Sequence, residues 1–240
     1  MTTIDTTRTV GDLVSERPGR SRIFEELDID YCCGGKKPLE EACRAKGLDP
    51  AAVAERLREA DTAPGAGEAD CAGMSLTALI DHIVAAHHEY LRRELPRLAD
   101  LLAKVVERHG ARETRLAETQ RVFQGLKAEL DMHMRKEEQI LFPAIREMEE
   151  TNGPSSFGCG FLSSPIGVME MEHDSAGAAL ERLRELTDAY TPPDWACNTY
   201  RAVLDGLEAL ERDLHQHIHK ENNILFPRAL ALESQVMASR

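Results

Sequence analysis

The sequence predicts an almost all-α protein: an up-down-up-down four-helix bundle preceded by a small helical domain. Three observations carry this. Ala, Leu, Glu and Arg recur along the 240 residues while aromatics make up only 5%, a composition suited to long helices rather than sheets. Four long segments repeat apolar residues at three- and four-residue spacing. The second half of that region echoes the first.

Taken in order, residues 9 to about 60 break into short helical pieces at Val10 to Val14, Gly19 to Leu27, Leu39 to Ala45 and Pro50 to Ala60. Pro38 and Pro50 suit first-turn positions, and Gly47 suits a helix end. These pieces make a small domain over residues 1–62. The stretch from Asp61 to Asp70 is rich in Gly, Ala and Pro with few large apolar residues, so it buries little and reads as a linker, taken as 63–74. Residues 75–235 form the bundle. Its periodic segments run roughly Ser75 to Arg108, Glu113 to Glu150, Pro165 to Ala189 and Asp194 to Leu232, and the first shows the pattern in Leu76, Leu79, Ile80, Ile83, Val84 and Leu91. Thr151 to Ser164 is the Gly- and Ser-rich crossing between the halves.

Composition narrows the function. The net charge is -13, and no basic stretch is long enough to track phosphates, which argues against nucleic acid as a partner. No run approaches the roughly 18 apolar residues of a membrane span, and Met1 to Val10 lacks a basic region followed by an apolar stretch. A cytoplasmic, membrane-free setting is expected. Six cysteines in a chain this long do not form the dense framework of a small secreted domain.

The internal repeat carries the chemistry. His133-Met-Arg-Lys-Glu137-Glu-Gln-Ile-Leu-Phe-Pro143 returns 84 residues later as His217-Ile-His-Lys-Glu221-Asn-Asn-Ile-Leu-Phe-Pro227. Upstream in each half a histidine precedes an acid, His88-Glu89 and His173-Asp174, 85 residues apart. Each half is therefore one helical hairpin used twice. Residues i and i+4 share a helix face, so His133 with Glu137, and His217 with Glu221, present an imidazole beside a carboxylate. One such pair arises easily as a helix-stabilising contact; two, in register with a third and fourth histidine, read as a site. Four imidazoles shared by two metal ions, with two carboxylates spanning both, leave room for a bridging oxo or hydroxo group. More than four mixed nitrogen and oxygen donors argue against structural zinc and suit iron first, manganese second.

The remaining histidines sort by phase. His215 and His219 point to a different face and have no counterpart in the first repeat, which assigns them to the surface or to the surroundings of the site. His82 and His87 are rivals to His88, and helical phase does not exclude His87; the match of His88-Glu89 to His173-Asp174 favours His88. His109 precedes Gly110 in a helix-end turn, where a cation helps the last carbonyls.

Together with Asp30-Tyr31-Cys32-Cys33-Gly34-Gly35-Lys36, these residues make the chain resemble the repair-of-iron-centres proteins of the YtfE/ScdA/DnrN type, across almost its whole length. The resemblance implies an ScdA-type N-terminal domain and a hemerythrin-like bundle. His88, His133, His173 and His217 would be imidazole ligands there, and Glu137 and Glu221 bridging carboxylates. It also implies a function that spacing does not show: protection or repair of iron-sulfur clusters damaged by nitrosative or oxidative stress, by supplying iron to damaged proteins or a cluster-assembly scaffold. Reduction of nitric oxide to nitrous oxide, and oxygen binding or sensing, are the alternatives. Hemerythrin oxygen carriers use five histidines with one Glu and one Asp, so simple oxygen carriage is less supported.

Cys32 and Cys33 are a second candidate site. Gly34, Gly35, Lys36 and Lys37 around them suggest a flexible, electropositive stretch near a helix start, conditions that lower a thiol pKa. A redox pair or transient iron ligation follows; a small buried pair in a tight turn is the other reading. Cys43, Cys71, Cys159 and Cys197 have no C-x-x-C spacing and read as structural or incidental.

Overall fold

The computed structural model of the protein describes residues 4–62, 71–153 and 161–238. The expected linker falls largely outside these residues, as do Cys159 and half of the predicted crossing between the two halves. No helix among the described residues is long and apolar enough to cross a membrane.

The short helices are α1 (Val10–Glu16), α2 (Ser21–Glu26), α3 (Leu39–Ala45) and α4 (Pro50–Thr62). Thr9 caps α1 through Asp12 N at 3.1 Å, and Gly47 leaves α3 with φ 69, the left-handed exit that glycine takes without strain. Val10, Leu13, Phe24, Tyr31, Leu39, Cys43, Val53 and Leu57 are buried in one core. Arg20, 5% exposed, ties the pieces together: it donates to both carboxylate oxygens of Asp61 at 3.0 and 2.6 Å, and to Leu13 O at 3.0 Å.

The long helices are α5 (Leu76–Ile83), α6 (Glu89–His109), α7 (Arg115–Lys136), α8 (Phe142–Thr151), α9 (Ser163–Leu186), α10 (Asn198–Lys220) and α11 (Phe226–Ala238). α5 continues into α6, α7 into α8 and α10 into α11 through one π turn each, at Val84–His88, Glu137–Leu141 and Glu221–Leu225. In each, an amide reaches back five residues, as Phe142 N–H does to Glu137 O and Phe226 N–H to Glu221 O. Pro143 and Pro227 follow directly. A proline in an α-helix lacks its N–H and collides with the carbonyl four residues back, and widening the preceding turn relieves both. The turn at Val84–His88 has no such proline.

Contacts divide the chain into two compact units. One comprises Met1–Ile80, Met148–Pro154 and His215–Arg240, the other Asp81–Glu147 and Ser155–Leu214. In the second, α6, α7, α9 and α10 bury Leu91, Leu98, Leu102, Phe123, Leu126, Leu180, Leu183, Leu207 and Leu214 in a single core. Side-chain bonds fix the directions. His133 meets Glu172 and Arg182 meets Glu118, Arg184 meets Glu211, and His87 meets Asp213, so neighbouring helices run antiparallel as the periodicity predicts. α9 ends in three successive left-handed residues, Asp188, Ala189 and Tyr190 at φ 50, 53 and 59. Their strain is offset by Arg115, which holds both Asp188 oxygens at 2.9 Å, and by burial of Tyr190.

In the first unit the start of α5 is capped from a distance. Leu76 N–H and Thr77 N–H donate to the two oxygens of Glu149 at 2.7 and 2.8 Å. Burial pushes this carboxyl up, but those amides and Arg228 outweigh it and hold the pKa below the ordinary 4.5. A carboxylate depressed by the fold stabilises above its unfolded pKa, and the contribution is lost as pH falls through the folded value. Glu149→Ala is therefore expected to lower stability by about 1 kcal/mol at neutral pH, and the difference from wild type in denaturant melts should shrink as pH falls below the ordinary carboxylate pKa of 4.5.

Candidate metal centre

All six residues expected to bind metal are buried: His88, Glu137 and Glu221 are 0% exposed, His217 1%, His173 2% and His133 3%. The π turns start or end on three of them: His88 closes the first, while Glu137 and Glu221 open the second and third. Widening the helix at these points turns the ligand side chains inward without breaking the backbone bonding.

Within the second unit, His88 Nε2 stands 3.4 Å from Glu137 Oε2, and His133 Nε2 stands 3.4 Å from Glu137 Oε1. Glu137 thus offers one oxygen to each imidazole. His173 Nε2 lies 3.1 Å from His133 Nε2. In the first unit the repeat reappears, with His217 Nε2 3.0 Å from Glu221 Oε1. His87, the rival to His88, is turned to Asp213 at 2.9 Å.

Two further carboxylates fix the imidazoles, and sequence reasoning missed both. His88 Nδ1–H donates to Glu138 at 2.6 Å, and His133 Nδ1–H donates to Glu172 at 2.9 Å. Because an ionised carboxylate only accepts, each ring keeps its proton on Nδ1 and presents the Nε2 lone pair inward. Arg92 and Lys136 hold the far sides of Glu138 and Glu172. Burial raises both carboxyls, but hydrogen bonds from His88 and Arg92, and from Lys136 and His133, outweigh it and leave both pKa values lowered. Glu138 adjoins Glu137 in sequence, while Glu172 adjoins His173; only their acidity and position beside a ligand could have signalled them.

This donor set fits a metal ion. Buried carboxylates are costly unless compensated, and here they face neutral imidazoles whose lone pairs point the same way. Two nitrogens bound at about 2.1 Å and roughly at right angles stand about 3 Å apart, close to the His133 to His173 separation. Removing an outer carboxylate typically weakens metal binding about 10- to 100-fold. Glu138→Ala should show a loss of that size in chelator competition, and unchanged affinity would show that His88 needs no such support.

The second candidate site departs from expectation. The loop from Asp30 to Gly35 wraps one carboxylate: Cys32 N–H, Cys33 N–H and Gly34 N–H donate to Asp30 at 2.9, 3.0 and 2.7 Å. Cys32 is buried, and its thiol donates to Asp30 Oδ1 at 3.2 Å. Its hydrogen bond with Cys33, then burial, then the negative charge of Asp30 push its pKa well up, so the predicted electropositive surroundings do not extend to Cys32. Cys33 is half-buried, with the two sulfurs 3.9 Å apart.

The loop is fastened to the third π turn. Asn223 Nδ2–H donates to Tyr31 O at 3.3 Å and Cys32 O at 3.0 Å, and His219 Nδ1–H donates to Tyr31 O at 3.3 Å. His219 is 5% exposed rather than on the surface, and burial lowers its pKa to about 4. His215 meets the Tyr31 ring edge-on at 6.2 Å. Gly11 and Gly35 pack against Asn223 so closely that a Cβ on either would stand 2.6 Å from its Oδ1.

Fold and donor set define a hemerythrin-like, cation-binding bundle. Residues 79–229 match the Hemerythrin HHE cation binding domain, and residues 6–61 match the ScdA N-terminal domain, a domain of unknown function. The chain is 41% identical to the iron-sulfur cluster repair protein YtfE of Enterobacter sp. (strain 638), covering 93% of this chain and 97% of that one. It is 40% identical to the YtfE of Yersinia pseudotuberculosis, covering 93% and 96%. With a probable iron-sulfur cluster repair protein of Haemophilus influenzae the identity is 39%, over 92% and 96%. The chain belongs to the YtfE family of hemerythrin-like proteins.

Proposed function

We propose that this chain binds two iron ions through His88, His133, Glu137, His173, His217 and Glu221 and uses them to protect or repair iron-sulfur clusters damaged by nitrosative or oxidative stress. One observation carries the reading. Each unit carries the same buried imidazole beside a buried carboxylate: His133 Nε2 stands 3.4 Å from Glu137 Oε1, with His88 Nε2 3.4 Å from Glu137 Oε2 and His173 Nε2 3.1 Å from His133 Nε2, and His217 Nε2 stands 3.0 Å from Glu221 Oε1. A doubled set of imidazoles and carboxylates is what a pair of ions in a helical bundle would need. The relatives' names supply the repair role.

Bound there, iron would supply an exchangeable, redox-active cation with an open coordination position. The chain's own residues hold and release it. Glu138 and Glu172 keep Nδ1 of His88 and His133 protonated so that Nε2 is available. Only two of the six ligands are anionic, a weaker hold on ferrous iron than a thiolate cage would give. Release of iron as cargo to damaged iron-sulfur proteins, or to a scaffold that rebuilds clusters, suits such a site. The same reading divides the chain into a domain at 1–62, a linker at 63–74 and the bundle at 75–235, working in the cytoplasm. Cys32 and Cys33 act in it as a thiol pair, with half-buried Cys33 as the point of entry.

The test is restoration of an iron-sulfur enzyme inactivated by nitric oxide. Iron-loaded protein should restore activity in proportion to the iron it loses, and Glu137→Gln should restore little. Equal restoration by the metal-free protein or that variant would remove iron supply from the reading. Sustained production of nitrous oxide with iron retained would identify a reductase instead.

A further inference from the structure

At the end of α6 remote from His88, a cysteine and a histidine meet. α6 has 21 residues, so His109 at its last position stands about 30 Å along the helix from His88. His109 Nε2 lies 3.3 Å from the Sγ of Cys197, the residue preceding α10 and the exposed cysteine among the described residues.

The surroundings hold this pair in place. The His109 ring stacks on Tyr200 with centroids 6.0 Å apart and lies 5.6 Å from Trp195. Trp195 and Tyr200 are 5.8 Å apart, and the Arg112 guanidinium covers Trp195 at 4.2 Å. The imidazole thus packs against two aromatic rings that also touch each other, with Nε2 within hydrogen-bond distance of the sulfur. Cys197 O accepts from Arg201 N–H at 3.0 Å, so Cys197 occupies the capping position of the 23-residue α10. The positive end of a long helix and an adjacent imidazole are two settings that favour a thiolate. The other charged groups at this end include Arg201, which donates to Pro193 O and Asp194 O at 3.5 Å, and Arg115 with its partners Glu113 and Asp188.

We propose that Cys197 is a modification site, a thiol activated by His109 that exchanges with the disulfide of a small, carboxylate-bearing thiol. His109 Nε2 accepts the Sγ proton, and the thiolate attacks one sulfur of the incoming disulfide. A bond forms between that sulfur and Cys197 as the original disulfide bond breaks, and the departing thiolate takes the proton back from the imidazolium. One thiol and one disulfide enter and one of each leaves, so no external oxidant is needed. Arg112 supplies the cation that a carboxylate on the small thiol would meet, and an excess of the reduced thiol reverses the modification. The metal ligands take no part in this step.

Metal-loaded, full-length protein incubated anaerobically with oxidised glutathione provides the test, with adducts located by peptide mass mapping. At pH 7, Cys197 should acquire glutathione about tenfold faster than half-buried Cys33. His109→Gln, which keeps the side chain's bulk, should slow the Cys197 reaction about tenfold at pH 7 and hardly at all near pH 10, where the thiol ionises without help. Cys197→Ser should abolish this adduct. First reaction at Cys33, or a Cys197 rate unchanged by His109→Gln at pH 7, would overturn the proposal.

Discussion

On the proposed di-iron reading, replacing both central carboxylates, as Glu137→Gln with Glu221→Gln, is expected to leave the protein less stable than wild type when both are metal-loaded and more stable than wild type when both are metal-free. In the loaded wild type, binding confined to the folded state adds RT ln(1 + [L]/Kd), about 4 kcal/mol at a free metal concentration 1,000 times Kd. The double variant retains four imidazoles but no anion, and its iron content should fall below about a tenth of the wild-type value. It should therefore gain almost none of that stabilisation. Without metal the order inverts. Two carboxylates at 0% exposure have given up hydration that neighbouring neutral rings only partly replace, and exchanging buried charge for a neutral group of equal shape is commonly neutral or stabilising by about 1 to 4 kcal/mol. Denaturant melts of all four species, after exhaustive chelation and after anaerobic reloading, check both halves. A metal-free double variant less stable than the metal-free wild type would mean that these carboxylates serve the fold first, and the energetic case for the centre would fail.

The pairing of imidazole with carboxylate was legible because helical periodicity converts sequence spacing into shared faces. His133 with Glu137 and His217 with Glu221 stand side by side as i, i+4 arithmetic requires. The π turns were not legible in the apolar period, which barely changes when one turn widens, although Pro143 and Pro227 six residues after each glutamate were their trace. Phase alone could not separate His87 from His88, since both rings are buried; the bond that turns His87 to Asp213, far along the chain, is a tertiary fact. Glu138 and Glu172 looked like ordinary surface charge because their role depends on a partner in another helix. The cysteine loop was misread for a related reason. Lys36 and Lys37 are visible in the sequence, but burial of Cys32 and the closing of three amides on Asp30 are tertiary facts, and they dominate the thiol.

Alanine at Gly35 should be the most damaging small substitution in the N-terminal region, and its relation to Asn223 should differ from that of alanine at Gly11. A Cβ on Gly35 would stand 2.5 Å from Tyr31 O and 2.6 Å from Asn223 Oδ1. The first obstacle is backbone, in the same carbonyl that receives Asn223 and His219, so the loop must move and surrender those bonds. A loss of about 2 to 3 kcal/mol is expected, from overpacking and from polar groups left poorly paired. A Cβ on Gly11 meets chiefly the Asn223 side chain, at 2.6 and 2.8 Å, with Gly35 O at a tight but tolerable 3.0 Å. Asn223→Ala clears that side chain at the loss of its own two bonds to the loop, about 1 kcal/mol each. In double-mutant cycles the pair Gly11→Ala with Asn223→Ala should be more stable than the sum of the single effects by about 1 to 2 kcal/mol, whereas Gly35→Ala with Asn223→Ala should recover far less. The same variants carry a functional readout, because Cys33 in each should react faster with a thiol reagent as the loop loosens. Equal recovery at both glycines would mean that Asn223, rather than the Tyr31 carbonyl, sets the approach of the cysteine loop to the helix bearing Glu221.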